Sequence, residues 1–238
     1  MKLLKSITVF AFLLCVSTSC AQWKKVKGDG NITTESRSTG DYDGVSAAGS
    51  MDIKLVEGSE GNIKIKGDAN LMEYIITEVK NGKLHIKTKK GVNLKPSKSI
   101  EITVPYESIS YVALAGSGDV ENSGTIRSND FEVSLAGSGD IDLNISADSV
   151  KSNIAGSGDI SLSGSAQNLE TNIAGSGDFE SKGLDSKNVT TKISGSGDVS
   201  VVCNGALKVR IAGSGDVSYS GTPTSKDTKV SGSGSVSN

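Results

Sequence analysis

Six aspartates recur in one setting, at Asp119, Asp140, Asp159, Asp178, Asp198 and Asp216, each closing a Gly-Ser-Gly-Asp tetrapeptide that begins at Gly116, Gly137, Gly156, Gly175, Gly195 or Gly213. If the tetrapeptides stack, the carboxylates form a column with two chemistries open to it. A row of oxygen ligands suits a hard cation such as calcium. A carboxylate at a turn also accepts hydrogen bonds from turn amides, as in an Asx turn, with no ligand at all. At a spacing of about 5 Å each exposed neighbouring pair costs roughly 0.8 kcal/mol in water before salt screening, so the column can stand without metal. Calcium-binding nonapeptide rolls use Gly-Gly-x-Gly-x-Asp at half this period, which makes the likeness weak. The expectation is therefore a protein without a cofactor, with calcium at these six aspartates as the secondary reading.

Catalysis has little to work with. A lyase or glycosidase needs a paired acid and base, or calcium with a basic residue, beside a groove that grips sugar. Arg37, Arg127 and Arg210 are far apart, and the single histidine, His85, alternates with Leu84 and Ile86 and so points to solvent. Tyr42, Tyr74, Tyr106, Tyr111 and Tyr219 do not recur with the tetrapeptide, and the one tryptophan, Trp23, precedes the patterned region. No catalytic residue is assigned. Cys203 continues the alternation of Val199 and Val201, which places it inward as a small hydrophobe. No basic run with interleaved aromatics marks a nucleic-acid surface.

Cys20 has a different chemistry. Lys2 and Lys5 precede an apolar stretch from Ile7 to Val16 that is too short to span a bilayer, and Ser17, Thr18 and Ser19 lead to the cysteine. The pattern resembles a bacterial lipoprotein signal, although Ser17 stands where such signals usually carry Leu. Residues 1–19 are read as the signal and Cys20 as the acylated residue, which makes the membrane a partner through a lipid anchor. With Cys20 so used, Cys203 has no partner for an intramolecular disulfide. Residues 20–40, polar and weakly patterned, read as a flexible tether.

The elements that carry the tetrapeptides follow from their period. Successive spacings are 21, 19, 19, 20, 18 and 19, the last leading to a Gly-Ser-Gly-Ser at Gly232. Apolar residues alternate on both sides: Phe131, Val133 and Leu135, then Val150 and Ile154, then Leu169 and Ile173 before the corner, with Ile141, Ile160 and Phe179 after it. Period two about a glycine turn means strand, turn, strand, with Ser, Thr, Asn, Lys and Glu facing out. One such unit cannot bury its apolar face, whereas stacked units can. Glycine at the corner (Gly116 and Gly118, Gly137 and Gly139, Gly156 and Gly158, Gly175 and Gly177, Gly195 and Gly197, Gly213 and Gly215) permits positive φ and close approach of the next coil. The predicted fold is all-β: a right-handed parallel β-helix over residues 41–238, with irregular coils over 41–114 and regular ones over 115–238. In the first part Ile53 and Leu55, Ile63 and Ile65, Leu84 and Ile86, and Ile100, Ile102 and Val104 alternate with polar residues, and Ala48-Gly49-Ser50-Met51-Asp52 reads as a decayed corner. Leu71 to Thr77 reads as a short helical turn or bent strand.

Charge is uneven: Met51 to Ile100 holds ten lysines against six acids, and Ala115 to Asn238 nine lysines and arginines against fifteen acids. Solvated faces explain this, and so would attraction between copies. No amphipathic cap follows Gly232, so either the last residues fold over the open end or another molecule covers it, and a homo-oligomer is one way to do so.

Taken in order, Val45 to Asp52, Gly67-Asp68-Ala69-Asn70-Leu71, Gly82-Lys83-Leu84-His85-Ile86, Ile102-Thr103-Val104-Pro105 and Ala115-Gly116-Ser117-Gly118-Asp119 resemble the family of putative auto-transporter adhesins with a head GIN domain, over about Tyr42 to Val217. The resemblance implies a right-handed β-helix, an exported Bacteroidetes lipoprotein and a function largely unassigned. The expected function is a non-enzymatic envelope lipoprotein, an adhesin or structural module that presents a rigid, repetitive polar face to a glycan or protein surface. A glycan-processing enzyme is the alternative, and a calcium-stabilised envelope scaffold the third. An outer-membrane anchor facing the periplasm is favoured over surface exposure, because Ala21 to Lys25 carry no acidic cluster resembling surface-export signals.

Overall fold

The computed structural model describes residues 23–238. The signal segment and Cys20 lie outside them. The chain is an all-β parallel β-helix of about seven turns. Its first strands are β1 (Lys24–Lys27), β2 (Ile32–Ser38), β3 (Gly44–Gly49), β4 (Met51–Glu57) and β5 (Asn62–Asp68). A 3-10 helix, Ala69–Tyr74, leads to β6 (Ile75–Lys80), β7 (Lys83–Thr88), β8 (Val92–Lys95) and β9 (Ile100–Tyr106). The repeats follow as β10 (Tyr111–Gly116), β11 (Val120–Ser123), β12 (Ile126–Gly137), β13 (Ile141–Gly156), β14 (Ile160–Gly175) and β15 (Phe179–Gly195). The last are β16 (Val199–Val202), β17 (Ala206–Gly213), β18 (Val217–Ser220), β19 (Ser225–Gly232) and β20 (Val236–Ser237).

The corners form one row. Gly49, Gly116, Gly137, Gly156, Gly175, Gly195, Gly213 and Gly232 each pair with the next in parallel register. Alternation therefore builds ladders within the stack, such as Leu135, Ile154, Ile173, Ile193 and Ile211 before the corner and Val120, Ile141, Ile160, Phe179, Val199 and Val217 after it, all buried. Gly49 shares the corner's positive φ, so the decayed copy belongs to the row, with Met51 buried in place of the second glycine.

Coil order departs from chain order at the N-terminal end. β10 lies on β3 and β11 on β4, while β7 and β9, later in the chain than β3 and β4, lie on the opposite side of them. The coil of β3 and β4 is thus clasped between two coils made after it. The crossing is tied where the Ser110 amide donates to the Asp43 carbonyl at 2.8 Å. Beyond β7 and β9 the direction reverses: β6 is antiparallel to β7, β5 to β9 and β2 to β5. These antiparallel strands and the 3-10 helix, which buries Leu71 and Met72, cover that end of the stack.

Two expectations need correction. The stretch read as a flexible tether carries β1, paired with β8 from Lys24↔Val92 to Lys27↔Lys95, and β2, paired along its whole length with β5. Its low hydrophobicity misled, because edge strands need to bury only one face, and Val26 alone of β1 packs on the core. Nor do all Ser and Thr face outward: Ser152, Thr171, Ser181, Ser186 and Thr191 are buried. Period-two alternation assigns the side of the sheet whatever the residue's polarity.

Candidate functional site

Each corner is shaped by two glycines with different reasons. Gly156 has φ 139°, and a Cβ on it would stand 2.2 Å from the Gly137 carbonyl oxygen; a Cβ on Gly158 would stand 2.0 Å from that of Gly139. The coil below occupies the space a side chain would need.

The aspartate beside them acts between coils. Oδ1 of Asp119 accepts the amide of Asp140 at 3.2 Å, and Asp140 that of Asp159 at 3.1 Å. Asp159, Asp178 and Asp198 accept the amides of Asp178, Asp198 and Asp216 at 2.7 to 2.8 Å. Asp216 ends the series by accepting both the amide and the hydroxyl of Ser235, at 2.7 and 2.9 Å. The expected Asx turn is thus corrected: the carboxylate takes the next coil's amide, because it points along the stacking axis. Among the described residues no group of three or more His, Cys, Asp or Glu is placed to hold a metal ion.

Two long grooves run across the coils. One is lined by Asn129, Ser146, Asp148, Ser165, Gln167, Asp185, Lys187 and Asn204, polar residues from five successive coils. Their spacing is set by the ladder, and neighbours bond across it: Ser146 Oγ lies 3.2 Å from Ser165 Oγ, and Asn204 Nδ2 donates to Asp185 Oδ1 at 2.8 Å. The other is floored by small residues before the corner, Ala115, Ala136, Ala155 and Ala174, with Asn153 and Asn172 along its side and Tyr111 at one end. There Asn172 Nδ2 donates to Asn153 Oδ1 at 3.2 Å.

A coil stack with this corner, closed by an antiparallel N-terminal end, can be compared with known proteins. The family model described as putative auto-transporter adhesin, head GIN domain, matches residues 41–223. The chain belongs to that family.

A putative adhesin from Bacteroides fragilis superposes on it with a TM-score of 0.82 at 21% identity, over 90% of this chain and 99% of its own. A putative lipid binding protein from Parabacteroides distasonis gives 0.72 at 26%, over 90% and 99%. A putative adhesin from Parabacteroides merdae gives 0.71 at 20%, over 90% and 98%. No curated protein matches.

Within this head GIN fold the residues weighed for catalysis are scattered. Arg37 donates to the carbonyls of Ile75 and Met72, closing the 3-10 helix. Among the described residues Arg127 meets only the Thr125 carbonyl, at 3.4 Å, and Arg210 is paired with Asp227 in β19. Tyr42 and Tyr106 are core residues, so neither can stack on a sugar. Tyr42 donates to the Pro105 carbonyl, and burial first, then Glu60, pushes its phenol well above the ordinary value. Tyr111 carries the Lys83 ammonium 3.1 Å from its ring centre, and Tyr219 bonds Lys226. Cys203 is buried as expected, its thiol 3.5 Å from the Lys187 carbonyl.

One grouping was missed. Pairing sets Ser46, His85 and Glu78 side by side on β3, β7 and β6. No spacing in the sequence signals this, because it depends on the out-of-order coil. The Lys87 ammonium holds the Glu78 carboxyl below its usual range, with His85 a lesser contributor. Among the described residues no hydrogen bond joins the three side chains, and the set lacks the nucleophile–base link of a hydrolytic triad.

Proposed function

We propose that this head GIN protein is an exported envelope lipoprotein, anchored through Cys20, that works by binding and not by catalysis. Its partner is a glycan or a protein surface, met along the polar groove of Asn129, Asp148, Gln167, Asp185 and Asn204. The observation that carries the reading is the register of that groove: Ser146, Ser165 and Asp185 pair in successive coils and Asn204 bonds Asp185 from the next, with Asp148, Gln167 and Lys187 beside them, on a backbone tied at every corner. A rigid row of planar polar groups binds a repetitive ligand without an ordering cost, and weak contacts add through multivalency. The adhesin descriptions of the family and of similar structures support a binding role. An outer-membrane location facing the periplasm remains our reading of the residues after Cys20.

A glycan array, run beside a polysaccharide-degradation screen, tests this. Binding that Gln167→Ala with Asp185→Ala weakens at least about tenfold, with no product formed, is expected. Product formation abolished by His85→Ala would overturn it. Labelling with radioactive palmitate, lost in Cys20→Ser, checks the anchor.

A further inference from the structure

The outermost N-terminal coil lacks the glycine corner. Between Thr88 and Ile100 the chain instead leaves the sheet to form β8, which pairs with β1. This ribbon gathers Lys24, Lys25, Lys27, Lys90, Lys95 and Lys98, all exposed, and no Asp or Glu occurs from Trp23 to Gly28 or from Thr88 to Ile100. None of the six ion pairs among the described residues uses any of these lysines. Beside them stands Trp23, 59% exposed, over a shallow apolar groove that includes Val92, Leu94 and Pro96.

One carboxylate, the buried Asp68, lies at the ribbon's end, bonded to Ser97 and Gly30, and balances one of the six lysines; the others, in no ion pair, await a counter-ion from outside. An indole at the rim of a lysine cluster is the composition of segments that rest at a bilayer interface, the ring among headgroups and the ammonium groups on phosphates. The rest of the molecule favours the same orientation, since Ala115 to Asn238 holds fifteen acids against nine basic residues and would be repelled by an anionic surface. Cys20 precedes Trp23 by three residues, a reach of roughly 11 Å at full extension, so an acyl anchor there would deliver the ribbon to the bilayer.

We infer that the β1–β8 ribbon with Trp23 is a membrane-docking surface that takes anionic lipid headgroups and sets the β-helix with its N-terminal coils against the bilayer. The surface acts with or without acylation, so it stands apart from the anchor and from the groove.

The test uses residues 20–238 carrying Cys20→Ser, a portion whose core is supplied by its own side chains from Val26 to Val236. Vesicles contain phosphatidylglycerol with phosphatidylethanolamine, or phosphatidylcholine alone. The expected result is co-sedimentation with the anionic vesicles only, reversed by salt, with a blue shift in the emission of Trp23, the sole tryptophan. Lys24→Glu, Lys25→Glu, Lys90→Glu and Lys95→Glu together weaken binding at least about tenfold without changing the melting temperature, and Trp23→Ala weakens it less. Equal sedimentation with both vesicles, absence of the blue shift, or unchanged binding by the charge-reversed variant overturns the proposal. Tighter binding to soluble polyglutamate than to anionic vesicles overturns it too, and assigns the ribbon to an acidic polymer. A parent chain that takes up no palmitate, with vesicle binding by the Cys20→Ser protein intact, would sink the anchor alone.

Discussion

Asp159 is held to Asp178 by an amide, and the nature of that bond decides how the column responds to change. Asp159→Asn keeps the Oδ1 acceptor and removes one like charge, so its stability stays within about 0.5 kcal/mol of the parent; Asp159→Ala orphans the Asp178 amide and costs about 1 to 2 kcal/mol in urea unfolding. Millimolar calcium leaves the melting temperature of both unchanged; a rise in the parent alone would restore the cation column. A second residue-scale effect lies inside the stack, where the hydroxyls of Ser152, Thr171 and Thr191 are buried without partners. Thr171→Val replaces such a hydroxyl by a methyl of the same shape and stabilises the protein by roughly 1 kcal/mol, read as a higher midpoint in thermal unfolding. Asp68 carries a third. Its buried carboxylate accepts the Ser97 hydroxyl and the amides of Ser97 and Gly30, and these bonds, the hydroxyl foremost, hold its pKa below the ordinary value against desolvation. A depressed folded-state pKa gives stability that is present above about pH 4 and is lost as pH falls through the lower folded value. The gap in stability between parent and Asp68→Asn therefore narrows on acidification, as a series of melts from neutral to low pH will register.

The coil is the element that repeats, and its tolerance to change is set by what lies one strand away. Gly158→Ala drives a methyl into the Gly139 carbonyl, so the corner must open; a loss of more than about 3 kcal/mol is expected in chemical denaturation. Gly40, with nothing within 4 Å of its notional Cβ, accepts Ala with a change within about 0.5 kcal/mol. Both are glycines of a β protein, and only contact between coils separates them. The same contact explains why coils of unequal length stay in row: between β14 and β15 the register shifts once, between Ser161 and Ser163, and the new register holds to the corner, where Gly175 meets Gly195. The extra residue is absorbed away from the corner, where backbone approach is tightest.

For the whole molecule, the two ends differ. The N-terminal end is sealed by antiparallel strands, whereas β19 pairs, among the described residues, only with β17, is exposed throughout, and leaves Val230 41% exposed. Lys226, Asp227 and Lys229 along this edge discourage another strand from adding to it. Replacing Lys226 and Lys229 by Val removes the obstacle, and concentration-dependent association in sedimentation-velocity runs is the expected outcome. The out-of-order coil shapes folding too: β3 and β4 cannot be enclosed until β9 has formed and the chain has crossed back to β10, a non-local closure that local coil stacking does not require.

The sequence by itself determined the repeat: corner glycines, alternating strands and an aliphatic interior are local patterns, each readable within one coil of about twenty residues. It also determined that Asp belongs at the corner, though not whose amide it would take. The tertiary structure alone decided which coil lies on which, and with that the strand nature of Lys24–Lys27, the meeting of Ser46 with His85 and Glu78, and the gathering of a lysine ribbon from two distant segments. Alternation along a chain specifies which face of a strand is buried, but a strand's neighbour is chosen by contacts between residues such as Gly44 and Tyr111 that no local period links.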